Sequence, residues 1–141
     1  AQVRRLVLVS PPLSAGAAEP PSMAPAVDGS HLLEEWRRAV AYCGPVAPPE
    51  VATAALAERL RNGAQAAAAA AAESVYRLRP RLAPLAIPIL ILLLGEEVVA
   101  HKGQMRDVPA RTRIVELPDR DASLFETAPE VAAQAVESFL R

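Results

Sequence analysis

Three short aliphatic runs, separated by longer polar and alanine-rich passages, give this chain its pattern. They are Val3–Val9, Ile89–Leu94 and Thr112–Leu117. The first two are mostly Val, Ile and Leu, which is typical of parallel strands covered on both faces. Charged residues flank and interrupt the third run, so we expect that strand to lie nearer the edge of the sheet.

Helical spacing accounts for much of the remaining sequence. Between Asp28 and Gly44 the apolar residues recur on one predicted helix face, which we expect to be buried. That face comprises Leu32, Trp36, Ala39, Val40 and Cys43, and the opposite face carries Glu34, Glu35, Arg37 and Arg38. A second helix is predicted from Pro48–Pro49 to Arg61, with Asn62–Gly63 ending it.

Two further helices complete the predicted elements. The alanine-rich run that begins at Ala64 has high helix propensity and is expected to continue as a third helix to Leu78. Pro129 suits the first position of a final helix. The buried stripe of that helix is predicted to be Val131, Ala132, Ala135, Val136, Phe139 and Leu140.

Strands that alternate with helical passages predict a parallel sheet in the order first, second, third, joined by right-handed crossovers. The passage after the first strand is too long for a plain crossover helix. We therefore predict an α/β fold whose core is formed by residues 1–12 and 86–141, with residues 13–85 inserted as a helical cap or lid.

Composition narrows the class of protein. With 141 residues, of which 52% are hydrophobic, the chain has the size of one domain and ample material for a core. A net charge of −1 gives no electrostatic case for a nucleic-acid partner. Cys43 is the single cysteine, so the chain cannot form an internal disulfide, which fits a reducing compartment. We expect its side chain to be buried as an ordinary apolar residue. His31 and Trp36, near the same apolar stripe, are expected to be structural.

No segment has the pattern of a targeting signal or a membrane span. The apolar stretch Ile87–Leu94 is interrupted by Pro88 and falls far short of the roughly 20 residues that cross a bilayer. We expect a cytoplasmic protein. The single lysine, Lys102, together with abundant Ala and Pro, favours a bacterial source with a GC-rich genome.

Four segments, in the right order, resemble the carboxyl-terminal half of an α/β-hydrolase. Val3–Pro12 resembles the sixth sheet strand, and Asp28–Trp36 resembles the start of a cap. Pro88–Glu97 resembles the seventh strand. Leu117–Leu140 resembles the eighth strand, the histidine loop and the closing helix, including Ser-Leu-Phe-Glu-Thr-Ala-Pro-Glu at residues 123–130. The resemblance implies esterase, amidase or lactonase-like ancestry.

The resemblance also shows what is absent. The nucleophile motif G-x-S-x-G, which precedes the triad acid and histidine in this fold, does not occur in the sequence. Val98 stands where the family places its acid, directly after a Gly-Glu-Glu turn, and Ala122 stands where the histidine belongs. Alanine cannot relay a proton, so the triad is incomplete.

Two residues are candidates to replace the missing groups. Glu97 takes the acid position if one residue has been deleted, and His101 lies on the same rim of the predicted sheet. The plainer interpretations are a solvated turn carboxylate and an exposed loop histidine. Asp121 is a further carboxylate that can act as a base, although a turn cluster is the simpler interpretation. No metal-ligand spacing or phosphate-binding loop is present, so we expect no metal and no cofactor.

Two functions remain open. The chain is either a hydrolase portion that is not catalytically complete on its own, or a degenerate noncatalytic member used for binding a small apolar ligand or for protein interaction. The resemblance implies a further strand beside Val3–Val9, and if that side has no neighbour in this chain, the strand exposes backbone groups that promote association. We expect an amino-terminal hydrolase half, or a second copy of the chain, to pair there.

Overall fold

Two compact units make up the part of the chain that the structure describes. This computed structural model describes residues 2–11, 25–95, 98–99 and 108–141. One unit, the sheet unit, contains residues 1–15 and 76–141, and the other, the helical unit, contains residues 16–75. The elements in chain order are β1 (Leu6–Val9), α1 (Ser30–Cys43), α2 (Pro49–Asn62), α3 (Ala64–Val75), α4 (Leu78–Leu82), β2 (Ile89–Leu94), β3 (Thr112–Leu117), α5 (Leu124–Thr127) and α6 (Pro129–Leu140).

The three strands form one parallel sheet in the order β1-β2-β3, which confirms the predicted order and direction. Leu8, Ile91 and Ile114 lie side by side across it. β1 is shorter than the predicted Val3–Val9. The amide of Leu6 donates to the carbonyl of Pro88 at 3.1 Å, and an earlier bridge would need the backbone N–H that Pro88 lacks.

Helices of the sheet unit cover both faces of β2, so every residue of this central strand is buried. On one face the cluster consists of Ile89, Ile91, Leu93, Leu6, Leu8, Ile114, Leu78, Leu82, Leu85, Val98 and Val108. On the other face it consists of Leu94, Val9, Leu117, Leu124, Ala128, Val131 and Ala132. The alternation of β2 side chains between the two clusters follows the period of two in a strand.

The boundary between the units differs from the predicted end of the insertion. The third helix ends at Val75 instead of Leu78, and the chain resumes at Leu78 as the short helix α4. Leu78 and Leu82 then pack in the sheet cluster. Residues 76–85, which the sequence placed in the cap, therefore lie in the sheet unit. The assignment of the helical unit as a cap stays a prediction.

The predicted buried face of α1 is only partly correct. Ala39 and Cys43 are buried, but Leu32 and Val40 are exposed and Trp36 is half-buried. Glu35, which we placed on the solvent face, is 2% exposed.

An ion pair explains this exception, because Oε2 of Glu35 accepts a hydrogen bond from Nε of Arg59 on α2 at 2.8 Å and Oε1 accepts one from Arg38. Burial of a charge is tolerated when it is paired and hydrogen-bonded. The hydrophobic spacing within α1 does not indicate that Glu35 has a partner on another helix.

In the helical unit His31 makes a local hydrogen bond, and α2 lies close to its predicted bounds. Nδ1 of His31 accepts a hydrogen bond from the amide of Ala26 at 3.1 Å, which is a structural role. α2 has Pro49 in its first turn and Gly63 directly after it, close to the predicted bounds. Among the described residues, no helix combines the length and the apolar character that crossing a membrane requires.

The Glu35 pairs predict a pH dependence of the helical unit. Burial alone would raise the pKa of the Glu35 carboxyl, but the hydrogen bonds from Arg59 and Arg38 outweigh it and hold that pKa below its usual value. A lowered pKa in the folded state stabilises the fold above the ordinary glutamate pKa, and this contribution is lost as the pH falls through the folded value. Urea unfolding followed by Trp36 fluorescence, at about pH 7 and about pH 3, should show a larger acid loss in the wild type than in Glu35→Gln. An equal loss of stability in the wild type and in Glu35→Gln would contradict this pH dependence.

Candidate functional site

The carboxyl ends of the three parallel strands meet at one edge of the sheet, which is where open α/β sheets place their ligands. Ser10 follows β1, Gly95 follows β2 and Pro118 follows β3. The amide of Ser10 donates to the carbonyl of Leu92 at 2.9 Å, and the amide of Gly95 donates to the carbonyl of Leu117 at 3.1 Å. These bonds extend the ladder into the turns and fix where each turn begins.

Gly95 makes the tight turn after β2. Its φ of 50° is in the left-handed region, which glycine adopts without the steric cost that a Cβ brings. A Cβ at this position would stand 3.1 Å from the carbonyl oxygen of Arg120, a backbone atom of the turn after β3. The two turns therefore approach each other so closely that a side chain at residue 95 would press them apart.

Gly95→Ala is expected to destabilise the sheet unit by about 1–2 kcal/mol, the usual cost of a left-handed alanine, with an added penalty from the Arg120 carbonyl. Urea unfolding followed by circular dichroism measures this. Gly29→Ala is the matched control, because Gly29 also has a positive φ (76°) but a Cβ there meets no atom within 4 Å. An equal or smaller cost at Gly95 would show that the close approach of the turns has no energetic effect.

The turn after β3 is held by a local network of hydrogen bonds. Oδ1 of Asp121 accepts from the amide of Ser123 at 2.9 Å and from the Ser123 hydroxyl. The Thr127 hydroxyl donates to the carbonyl of Ser123 at 2.9 Å. Ser123 itself is buried. This is the geometry of an Asx turn, which leads the chain into α5, and it gives the Asp121 carboxylate a structural task.

The two positions at which the hydrolase resemblance predicts triad residues lie in different surroundings. Ala122 is half-buried in the turn between Asp121 and Ser123, at the carboxyl end of β3. Val98 is 4% exposed and packs in the sheet cluster with Leu93 and Ile91. Position 98 is therefore a core position in this fold. Neither side chain can transfer a proton.

The two candidate replacements, Glu97 and His101, fall outside the described residues, as does Glu96. Their roles as displaced acid and substitute base stay predictions. The structure therefore brings together the turns of Ser10, Gly95 and Asp121 at one edge but does not test the catalytic candidates.

Sequence reasoning missed Ser10. This serine has a φ of 43°, a left-handed conformation that is uncommon for a residue other than glycine and costs about 1–3 kcal/mol. Its hydroxyl oxygen is buried and has no hydrogen-bond partner among the described residues. The only signal in the sequence is that a Ser-Pro-Pro turn ends the strand, and that signal does not predict a positive φ.

Within residues 2–11, 25–95, 98–99 and 108–141, no three His, Cys, Asp or Glu side chains are grouped so as to hold a metal ion. Comparison of the chain with protein-family models, with curated proteins and with solved structures gave no match.

Proposed function

We propose that this chain is the carboxyl-terminal portion of an α/β-hydrolase-type protein, with esterase, amidase or lactonase-like ancestry, and that it is not catalytically complete on its own. The observation that carries the proposal is the parallel order β1-β2-β3, with turns at the carboxyl ends of β2 and β3 where the resemblance expects the acid and the histidine. Fold alone does not establish a reaction. The residues at those turns therefore decide how much activity to expect.

The residues at the turns support an incomplete site. The side chain of Ala122 has no atom that accepts a proton. Oδ1 of Asp121 already accepts hydrogen bonds from the amide and the hydroxyl of Ser123. A hydrolytic triad needs a base within hydrogen-bond reach of its nucleophile. If the chain contributes to hydrolysis, an amino-terminal half has to supply the nucleophile, and Glu97 and His101 have to replace the acid and the base.

Ester hydrolysis with and without an amino-terminal hydrolase half tests the proposal. The chain alone should release no nitrophenol from nitrophenyl acetate or butyrate above the blank. With the half that carries the nucleophile supplied, Ala122→His should raise turnover, because it places an imidazole in the turn after β3. Turnover by the chain alone, or no effect of Ala122→His in the assembled protein, would contradict the proposal. Ala133→His on α6 is the matched control.

A second candidate function, a noncatalytic member that binds a small apolar ligand or another protein, is favoured by the burial of Val98. A buried valine at the position expected for the acid stabilises the core but cannot take part in proton transfer. In the same ester assay, this function predicts no turnover in the assembled protein and no effect of Glu97→Gln or His101→Ala. Turnover that either substitution abolishes would instead restore the enzymatic interpretation.

A further inference from the structure

The contact between α1 and α2 in the helical unit is formed by small side chains around one charged residue. Ala39, Cys43 and Ala52 are buried there together with Glu35. Among the larger apolar side chains of the two helices, Leu33 and Val40 are exposed, and Trp36, Val51 and Leu56 are half-buried. Alanine buries little apolar area, and stabilisation scales with the area removed from water. The fully buried apolar side chains of these two helices are therefore all small, and the larger ones remove only part of their area from water.

Both carboxylate oxygens of Glu35 are occupied, and by different helices. Nε of Arg59 on α2 donates to Oε2 at 2.8 Å, and Nη1 of Arg38 on α1 donates to Oε1 at 2.5 Å. Arg38 also lies 3.3 Å from Glu34. Because Arg38 and Glu34 are on the same helix as Glu35, they add nothing to the attraction between helices. Arg59 supplies an ion pair that joins α2 to α1.

The two arginines and the glutamate differ in their access to water. Glu35 is 2% exposed, whereas about one third of each arginine side chain reaches solvent. If Arg59 is removed, the carboxylate keeps only Arg38 while α2 still excludes water from it. Loss of one partner of a buried pair is far more costly than exchange of the whole pair for apolar groups. The closed arrangement of the two helices is thus sensitive to one charge on each of them.

We propose that Glu35 and Arg59 form a latch between α1 and α2, and that neutralising either residue lets this helical hairpin open and expose Cys43 while the sheet unit stays folded. A unit whose fully buried apolar side chains are all small is the kind that opens locally, at a lower free energy than global unfolding. The inference concerns the helical unit alone and does not rest on the proposed hydrolase ancestry.

Cys43 is a built-in reporter of opening, because it is the only cysteine of the chain and is 2% exposed in the closed hairpin. The rate of its reaction with dithiodipyridine under native conditions should rise about 100-fold in Glu35→Gln and in Arg59→Met, as expected when a buried partner is lost. Arg37→Met and Arg61→Met are the matched controls. Both lie on the same helices, pair at exposed positions, and should leave the rate within about twofold of the wild type.

Hydrogen exchange distinguishes a latch from general loss of stability. In Glu35→Gln the amides of α1 and α2 should lose protection, while those of β2 keep it. Joint loss of protection in α1, α2 and β2 would overturn the proposal, and so would a Cys43 rate unchanged from the wild type. The double variant Glu35→Met with Arg59→Met should restore slow Cys43 modification, because an apolar pair replaces the charges without leaving one uncompensated. A rate as fast as in Glu35→Gln would show that the two residues do not act as a pair.

Discussion

Val98→Asp is expected to destabilise the sheet unit by about 3–5 kcal/mol near neutral pH, the cost of leaving a carboxylate buried without a partner. Position 98 is where the hydrolase resemblance expects an acid, yet Val98 is buried among Leu93, Ile91 and their neighbours. Burial raises the pKa of a carboxyl group placed there. The penalty should therefore shrink as the pH falls and the group takes up a proton. Urea unfolding at neutral and acidic pH measures both effects.

The matched control for this substitution is Val98→Ala, which removes the same methyl groups without adding a charge. It should cost about 1–3 kcal/mol and show no dependence on pH of its own. If Val98→Asp and Val98→Ala lower the free energy of unfolding equally at neutral pH, then a carboxylate at position 98 is hydrated or paired with a cation. That result would mean that the acid position is intact as a site and would favour the catalytic interpretation over the noncatalytic one.

The strands were the most predictable part of this fold. Ile89–Leu94 and Thr112–Leu117 have the same bounds in the structure as in the sequence-based prediction. A run of six Ile and Leu residues suits a central strand covered on both faces, because no polar position has to reach water. The first strand was predicted three residues too long. Its start depends on Pro88, which faces it across the sheet and cannot donate a hydrogen bond.

In the helices, the local sequence pattern predicts some helix bounds but not every buried position. The bounds of α2 follow from Pro49 and Gly63, two residues with strong local preferences. The face of α1 could not be derived in the same way. Burial of Glu35 requires Arg59, a partner 24 residues away, so no periodicity within α1 reveals it. Similarly, Tyr76 and Arg77 separate α3 from α4, whose Leu78 and Leu82 pack in the sheet cluster with residues distant in sequence.

The turns at the carboxyl ends of the strands were predictable in their position but not in their detail. Turns after β2 and β3 were expected at one edge of the sheet, and Gly95 and Pro118 lie there. The sequence predicts a turn cluster at Asp121, and the local hydrogen bonds with Ser123 specify it as an Asx turn. The positive φ of Ser10 has no signal in the sequence pattern. The close approach of residue 95 to Arg120 also couples the two turns, so changes in either loop should affect the other.

The open edge of β1 follows from the alternation of its backbone groups. The amides of Leu6 and Ser10 donate to β2, at Pro88 and Leu92. Successive residues of a strand direct their N–H and C=O groups to opposite sides, so Leu8 also faces β2 while Val7 and Val9 direct theirs away from it. Among the described residues β1 has a strand on one side only. We propose that an additional strand, from an amino-terminal hydrolase half or from a second copy, pairs on the other side.

Val7→Pro is expected to abolish association through this edge while preserving the sheet. Proline at residue 7 removes only an N–H that points away from β2, and proline is tolerated on edge strands. Size-exclusion chromatography with light scattering should show the wild type as more than a monomer at high concentration and Val7→Pro as a monomer. Leu8→Pro is the matched control. It removes a donor to β2, so it should unfold the sheet unit and not merely dissociate the assembly.

A wild-type chain that stays a compact monomer at all concentrations, and that does not bind an amino-terminal half, would contradict pairing at β1. If Val7→Pro associates as the wild type does, the contact lies on another surface.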